Sequence, residues 1–400
     1  MTLKSYISLL TLAFGSTSYL SALDEQGFRQ CISTNGSGSI CQLDAKPTLY
    51  HITNNQTHLA EGPFRIDRSG IVVSGTWITS RSDTTLLRAN SGVGPLMYLN
   101  SGVNNVSIRD FFFDGNRRAL GPTRPSVDLD LDWNGNAYAI TVESEFYDAR
   151  ENSLSTAADN TIIEYAFIHH AAYSGIRVNE GNTAFTIRWN RIEDCGGSAI
   201  VVHNNSPGSI HGNTIARNHK EWPWWTCNGQ CVGGQIMLDI GTFWVTVADN
   251  WIDGALVQNG NLWTAGMEVY GSGHLLLRNH IFHHSGHGIY LTGASNVLIE
   301  GGAGDWRVGN NNHRVVARTF SGIHISNHQL VPSLSNNITI KNYGSTNHHL
   351  YPVSIETRGI GSITGITVVN NCFSGNVNSS IYTSGVVDLY QSGNLYSNCP

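Results

Sequence analysis

Thr186-Ile-Arg-Trp-Asn190-Arg-Ile192, Ile200-Val-Val-His203 and Ser209-Ile-His-Gly-Asn213-Thr-Ile215 follow one another along the chain and set out its plan. The middle phrase alternates apolar and variable residues, the period-2 signature of a strand with one buried face. The outer two place an asparagine in register, with an isoleucine two positions later. Val247-Ala-Asp-Asn250-Trp-Ile252 and Leu276-Leu-Arg-Asn279-His-Ile281 repeat that arrangement.

The middle phrase occurs eight times: Ile140-Thr-Val-Glu143, Ile176-Arg-Val-Asn179, Ile200-Val-Val-His203, Ile236-Met-Leu-Asp239, Met267-Glu-Val-Tyr270, Ile289-Tyr-Leu-Thr292, Ile323-His-Ile-Ser326 and Val353-Ser-Ile-Glu356. The copies are 22 to 36 residues apart, a solenoid-like spacing that stacks them rung upon rung. Ile192, Ile215, Ile252 and Ile281 then form an inward column. Asparagine suits a solenoid corner, because it tolerates left-handed backbone and its amide can bond to the next rung. No segment after residue 25 shows a sustained helical period. The pattern predicts an all-β chain, a parallel β-helix of one domain. Residues 23–75 are less periodic and read as an N-terminal cap with a first rung at Ile71-Val-Val-Ser-Gly-Thr-Trp77. Residues 76–400 read as the solenoid and its C-terminal tail.

The Asn turn with its Gly-Ile-x-apolar phrase resembles the pectin-lyase-like superfamily over residues 100–385. The resemblance implies a right-handed solenoid and a carbohydrate-active protein: a polysaccharide lyase, a glycoside hydrolase or a uronan epimerase. Gly286-His287-Gly288 is similar to a tripeptide of polygalacturonases, but their paired-aspartate motif does not precede it. The Asp-Pro-His phrase of mannuronan epimerases is absent.

Net charge is −6, and the only lysines are Lys4, Lys46, Lys220 and Lys341. That balance argues against nucleic acid and against a broad polyanion-binding surface. Residues 1–22, with Lys4 ahead of a short apolar run ending in small residues, read as a signal peptide, and no stretch reads as a membrane span. Secretion is therefore expected. The six sequons at Asn35, Asn55, Asn105, Asn204, Asn337 and Asn378 fit that context. Seven cysteines fit an oxidising compartment. Proximity pairs Cys31 with Cys41, Cys227 with Cys231 and Cys372 with Cys399, leaving Cys195 free and buried. The sequence does not fix an oligomeric state.

The variable positions of the eight phrases point outward and stack in two columns. The first is Thr141, Arg177, Val201, Met237, Glu268, Tyr290, His324, Ser354; the second is Glu143, Asn179, His203, Asp239, Tyr270, Thr292, Ser326, Glu356. Such a cluster of carboxylates, imidazoles and tyrosines on a rigid strand surface is where sites are built. Asp239 and Glu268 fall on adjacent rungs in different columns, so their Cα atoms should lie roughly 8 Å apart. That suits a pair in which one acid protonates a leaving oxygen and the other activates water, as in inverting glycosidases. Glu268, beside Met237 and Tyr290, is the expected acid. Asp239, beside His203 and Tyr270, is the expected base. Arg177, His203, Tyr270, Tyr290 and His324 are expected substrate contacts. Two long insertions precede the acid-bearing strands, and their Trp222, Trp224, Trp225 and Trp263 offer flat faces for sugar rings, or else plug a small core of their own.

Asp130-Leu-Asp132-Trp-Asn134-Gly135 matches the first half of a calcium loop. Its twelfth position is Thr141 instead of glutamate, so a calcium site and a metal-free acidic turn both remain open. No cofactor is otherwise required. Three functions follow: a hydrolase using Asp239 and Glu268 on a polysaccharide or oligosaccharide, a lyase or epimerase using Arg177, His203, His324 and Tyr290 on the same face, and a non-catalytic glycan-binding solenoid.

Overall fold

The computed structural model describes residues 22–44, 50–52, 64–76, 85–88, 96–100, 102–115, 154–156, 160–171, 174–178, 184–195, 197–203, 207–218, 233–254, 264–284, 286–301, 307–308, 320–327, 331, 333–346, 350–376, 378 and 380–397. Each strand pairs in parallel with the strand one rung away. The chain is a parallel β-helix with three faces. The first carries Ile176–Val178, Ile200–Val202, Gly233–Leu238, Thr264–Ser272, Ile323–Ser326 and Val353–Glu356. The second carries Phe185–Arg188, Gly208–His211, Val245–Ala248 and Asn336–Lys341. Ile289–Glu300 is long enough to run through both, which merges them into one sheet. The third face holds Phe112–Asp114, Phe167–His169, Arg191–Glu193, Thr214–Ala216, Trp251–Asp253 and His280–Phe282.

The interior is built of apolar columns contributed by each face. Ile176, Ile200, Ile236, Met267, Ile289 and Ile323 stack in register and are buried. Ile192, Ile215, Ile252 and Ile281 do the same on the third face.

Between the second and third faces the asparagines form a buried ladder. The Asn190 amide donates to Asn213 Oδ1 at 3.1 Å, Asn213 to Asn250 at 2.9 Å, and Asn250 to Asn279 at 2.9 Å. Each Oδ1 also accepts the backbone N–H of the preceding asparagine, and each amide donates to a strand carbonyl, as Asn250 does to Ile210. The left-handed conformation falls elsewhere than expected. The residue before each asparagine carries positive φ: Trp189, Gly212, Asp249 and Arg278. The sharp turn precedes the asparagine, which points its side chain inward.

The N-terminal end departs from the sequence reading in two respects. Glu25–Thr34 is an α-helix, capped by Asp24, whose carboxylate accepts the Gly27 N–H at 2.8 Å. Phe28, Cys31 and Ile32 fall on one face at helical spacing and are buried. Three apolar positions in a polar ten-residue stretch make too faint a period to read. Phe28 meets Phe64 edge-on at 5.0 Å and Phe111 at 6.3 Å, closing the end of the core. The ladder also begins before Ile71, because Ile40–Gln42 already pairs with Val72–Ser74. Cys31 and Cys41 form the expected disulfide, Cys195 is free and buried, and Cys372 is disulfide-bonded. Residues 1–21, Cys227, Cys231 and Cys399 lie outside the described residues. Among those described, no helix is long and apolar enough to cross a membrane.

Replacing Asn250 with alanine strands the buried amides of Asn213 and the carbonyls of Ile210 and Asn279. Each unsatisfied buried group costs about 1–3 kcal/mol, so the loss should be on the order of 3 kcal/mol or more. Denaturant unfolding measures it, and a variant within about 0.5 kcal/mol of the parent would show the ladder to be dispensable.

Candidate active site

Register decides which side chains meet. Arg177 pairs with Val201, then Met237, Glu268, Tyr290, His324 and Ser354 in turn, the order read from the sequence. The strand beside Ile176–Val178 is Leu154–Thr156, however, so Ser155 and not Thr141 neighbours Arg177. The 140–143 phrase, Asn179, the insertion tryptophans Trp222, Trp224, Trp225 and Trp263, and the calcium-loop candidates Asp130, Asp132 and Asn134 lie outside the described residues.

This face is not the open surface that alternation suggested. Glu268, Tyr290, His324 and Ser354 are each 4 % exposed or less, and Arg177 is 7 %. Rungs about 4.8 Å apart let broad side chains cover one another. The Tyr290 and His324 rings stack at 5.4 Å and 7°, and His287, from the turn before Tyr290, stacks on His324 at 4.4 Å and 12°.

Glu268 lies at the centre. Its Oε1 accepts the Tyr270 hydroxyl at 2.5 Å; residues two apart on a strand share a face, so this contact is local. The Gly234 backbone hydrogen-bonds the same carboxyl. A side chain at 234 is excluded, since a Cβ there would sit 2.5 Å from the Glu268 nitrogen and 3.0 Å from its Cβ. Burial pushes the Glu268 acid up to about 8, and the negative charge of Asp239 pushes the same way against the Tyr270 and Gly234 hydrogen bonds. The carboxyl is thus protonated at neutral pH.

Asp239 is half-buried at the end of the preceding rung. Its Oδ2 lies 2.5 Å from His203 Nδ1, and its Oδ1 accepts the Ile240 N–H at 2.7 Å. A carboxylate only accepts, so Nδ1 of His203 carries the proton. The following turn is tied down. Thr242 Oγ1 donates to the Asp239 carbonyl at 2.7 Å, and His274, held neutral by burial that lowers it to about 4, donates from Nε2 to the Tyr270 carbonyl at 2.8 Å. One buried proton donor and one hydrogen-bonded carboxylate therefore stand beside each other, the arrangement that separates acid from base.

The other expected contacts are spread along the face. Arg177 is three rungs from Glu268, about 14 Å at the rung spacing. Tyr290 and His324 follow Glu268 and form a second centre. His324 Nδ1 bonds Ser354 Oγ at 2.6 Å, Ser354 bonds Ser321 Oγ at 2.7 Å, and the Ser321 N–H donates to His287 Nδ1 at 3.0 Å. Burial and the positive charge of Arg358 lower His324 to about 3, so it stays neutral. A cleft beside it is lined by His287, Ser321, His324, Tyr351, Glu356 and Arg358.

Sequence reasoning passed over several residues here. Gly234 carried no visible signal. His287 stands out in the sequence only within the Gly286-His287-Gly288 tripeptide. Ile240, Phe243 and Trp244, in the turn after Asp239, are exposed, Trp244 the most at 66 %. One face of its indole lies on Gly273, where a Cβ would come within 2.7 Å of the ring, and its remainder is open. The Phe-Trp pair is visible in the sequence, but its exposure is not.

A family model described as a right-handed β-helix region matches residues 131–258. The described strands stack as a parallel β-helix and residues 131–258 match a right-handed one, so the expectation of an all-β solenoid holds at the level of fold. No curated protein matches it in sequence. Similar solved structures include the A-module of the Azotobacter vinelandii mannuronan C-5 epimerase AlgE6, with 12% identity, a TM-score of 0.43 and 91% of each chain covered. An alginate lyase from Paenibacillus sp. str. FPU-7 has 12% identity and a TM-score of 0.48, covering 92% of this chain and 96% of that one. Tailspike protein 2 of bacteriophage CBA120 has 10% identity and a TM-score of 0.48, with 90% and 43% covered. These likenesses concern the solenoid.

The raised Glu268 acid has a stability signature. In the unfolded chain it ionises near pH 4.3, so between there and about 8 the native state holds one more proton. Its contribution to stability should fall by about 1.4 kcal/mol per pH unit across that window. Glu268→Gln should flatten the slope. Denaturant unfolding of parent and variant at pH 5, 6 and 7 reads the difference, and parallel slopes would contradict a buried neutral Glu268.

Proposed function

We propose that the protein is a carbohydrate-active enzyme that hydrolyses glycosidic bonds of a polysaccharide or oligosaccharide. The observation that carries this is the pairing of a Glu268 carboxyl protonated to about pH 8 with the neighbouring Asp239, held by His203. In this reading Glu268 protonates the departing glycosidic oxygen. Asp239 takes a proton from the attacking water, and His203 positions it. Tyr270 fixes the Glu268 carboxyl through Oε1, leaving Oε2 to carry the proton. Trp244, five residues after Asp239, is an exposed platform for a sugar ring, its indole backed by Gly273 on one side.

A second reading has one specific observation behind it. Tyr290, His324 and His287 stack beside a cleft that also contains Arg358, which supplies a basic group and a cation of the kind a lyase needs to abstract a proton next to a uronate carboxyl. Burial raises the Tyr290 phenol and, among the described residues, His324 hydrogen-bonds to Ser354 alone, so neither is as ready for proton transfer as Glu268.

A panel of neutral and acidic polysaccharides tests both. Hydrolysis releases reducing ends without the ultraviolet-absorbing unsaturated uronide of a lyase. Glu268→Gln and Asp239→Asn should each lower turnover by about 10²–10⁴ while leaving the fold intact. The parent should lose activity as pH rises through about 8, where the acid deprotonates, and Glu268→Gln should lack that limb. Unsaturated products, or full turnover in both variants, would remove the hydrolase in favour of the second centre. Trp244→Ala should raise KM more than it lowers kcat, because it removes binding rather than proton transfer.

A further inference from the structure

The third face carries a group of side chains that the acid pair does not use. Asp114 ends the strand Phe112–Asp114, and His169 ends the neighbouring strand in register with it. His170 follows in the left-handed conformation, φ 52°, which is uncommon for a residue other than glycine. His169 Nε2 lies 3.5 Å from Asp114 Oδ2, and His170 Nδ1 lies 3.6 Å from Oδ1. One ligand atom from each residue falls within 4.8 Å of the others.

These separations are long for hydrogen bonds but close to the edges of a metal polyhedron. Four ligands at about 2.0–2.1 Å from a tetrahedral centre lie roughly 3.3–3.4 Å from one another. The two histidines approach different oxygens of the Asp114 carboxylate, and side-chain rotation within the 4.8 Å cluster would bring both nitrogens and one carboxylate oxygen to that distance. Among the described residues, His169 Nε2 is buried and has no hydrogen-bond partner, its approach to Asp114 Oδ2 falling short of one. A cation at the common centre would satisfy it.

The surroundings support the same centre. Gly115 directly follows Asp114, and a Cβ there would come 2.4 Å from the His170 carbonyl and the Ala171 Cα; only glycine lets these two segments close around the group. The next carboxylate along the face, Glu193, pairs with His169 in register but is held by Arg191 at 2.6 Å and Arg217 at 3.0 Å. Its charge is already balanced, so it does not draw the imidazoles away.

We propose that Asp114, His169 and His170 form a binding site for a zinc-class divalent cation. Two imidazoles and one carboxylate suit a borderline first-row ion and not calcium, which takes oxygen ligands. Three protein ligands leave a fourth position for water. The site lies on a different face from Asp239 and Glu268 and does not depend on the function proposed for them.

The test uses the whole protein freed of metal by chelator and titrated with Co²⁺ and Zn²⁺. One equivalent of Co²⁺ should give the visible absorption of a tetrahedral or five-coordinate site, Zn²⁺ should displace it, and either ion should raise Tm, since a ligand bound only by the native state stabilises it. Asp114→Asn and His170→Ala should each weaken Co²⁺ binding by more than the roughly 10–100-fold that loss of an outer-shell partner costs. His283→Ala, which removes the other Asp–His pair of this face, should bind Co²⁺ as the parent does. His169 packs between Phe112 and Phe167, so the two other positions keep the test independent of a folding defect. Absence of stoichiometric Co²⁺ binding overturns the proposal. So does binding that survives in both variants, which would trace it to other histidines among the 17 in the chain.

Discussion

Main-chain hydrogen bonding from rung to rung is the constraint on which everything else in the molecule rests. It fixes neighbouring strands near 4.8 Å, so any two side chains at equivalent positions must meet. Ile236 and Met267 therefore pack, the Asn190–Asn213–Asn250–Asn279 amides bond in series, and Tyr290 lies against His324, all for one reason. The asparagine ladder extends that hydrogen bonding through the one place where it would lapse, the corner at which strand pairing stops. It uses both functions of each amide and leaves neither the carbonyls of the second face nor the backbone N–H groups of the turn unsatisfied.

The same spacing explains the chemistry of the face. A single carboxyl on an exposed strand would be solvated. Glu268 is enclosed by its own rung through Tyr270, by the backbone of Gly234 and by the columns on either side, so its charge would lose water with no cation among the described residues to replace it. Asp239, at the strand's end where the turn begins, keeps partial access to solvent and a histidine partner. One rung and the length of a short turn thus separate two carboxyls into different environments.

What the sequence made legible follows this logic. Columns are set by period-2 alternation, so Arg177 through Ser354 fell in order, and the inward isoleucines with them. Features that depend on burial were not legible. Alternation says that Glu268 and Ile236 face opposite ways, but not that the polar side is covered as well. The helix Glu25–Thr34 is not legible because a cap needs only Phe28, Cys31 and Ile32 to touch the core. Leu154–Thr156 is not legible because its phrase, Leu-Ser-Thr, carries one apolar residue, whereas Ile140-Thr-Val-Glu143 fits the strand pattern better. Asp114, His169 and His170 come together across 55 residues of chain and one left-handed turn, which no local pattern encodes.

The corners and the faces also answer differently to change in the gene. Successive copies of the strand phrase are 22 to 36 residues apart, yet their columns stay aligned, because alignment comes from bonds within the faces and not from the length of the connections. Codons added or deleted at a corner leave Asp239 and Glu268 in place. One codon added within Gly233–Leu238 would turn every following side chain of that strand to the opposite face, sending Asp239 into the isoleucine column. Heritable variation in this fold is therefore channelled toward its edges, where new walls for a binding cleft can be tried while the reacting groups hold still.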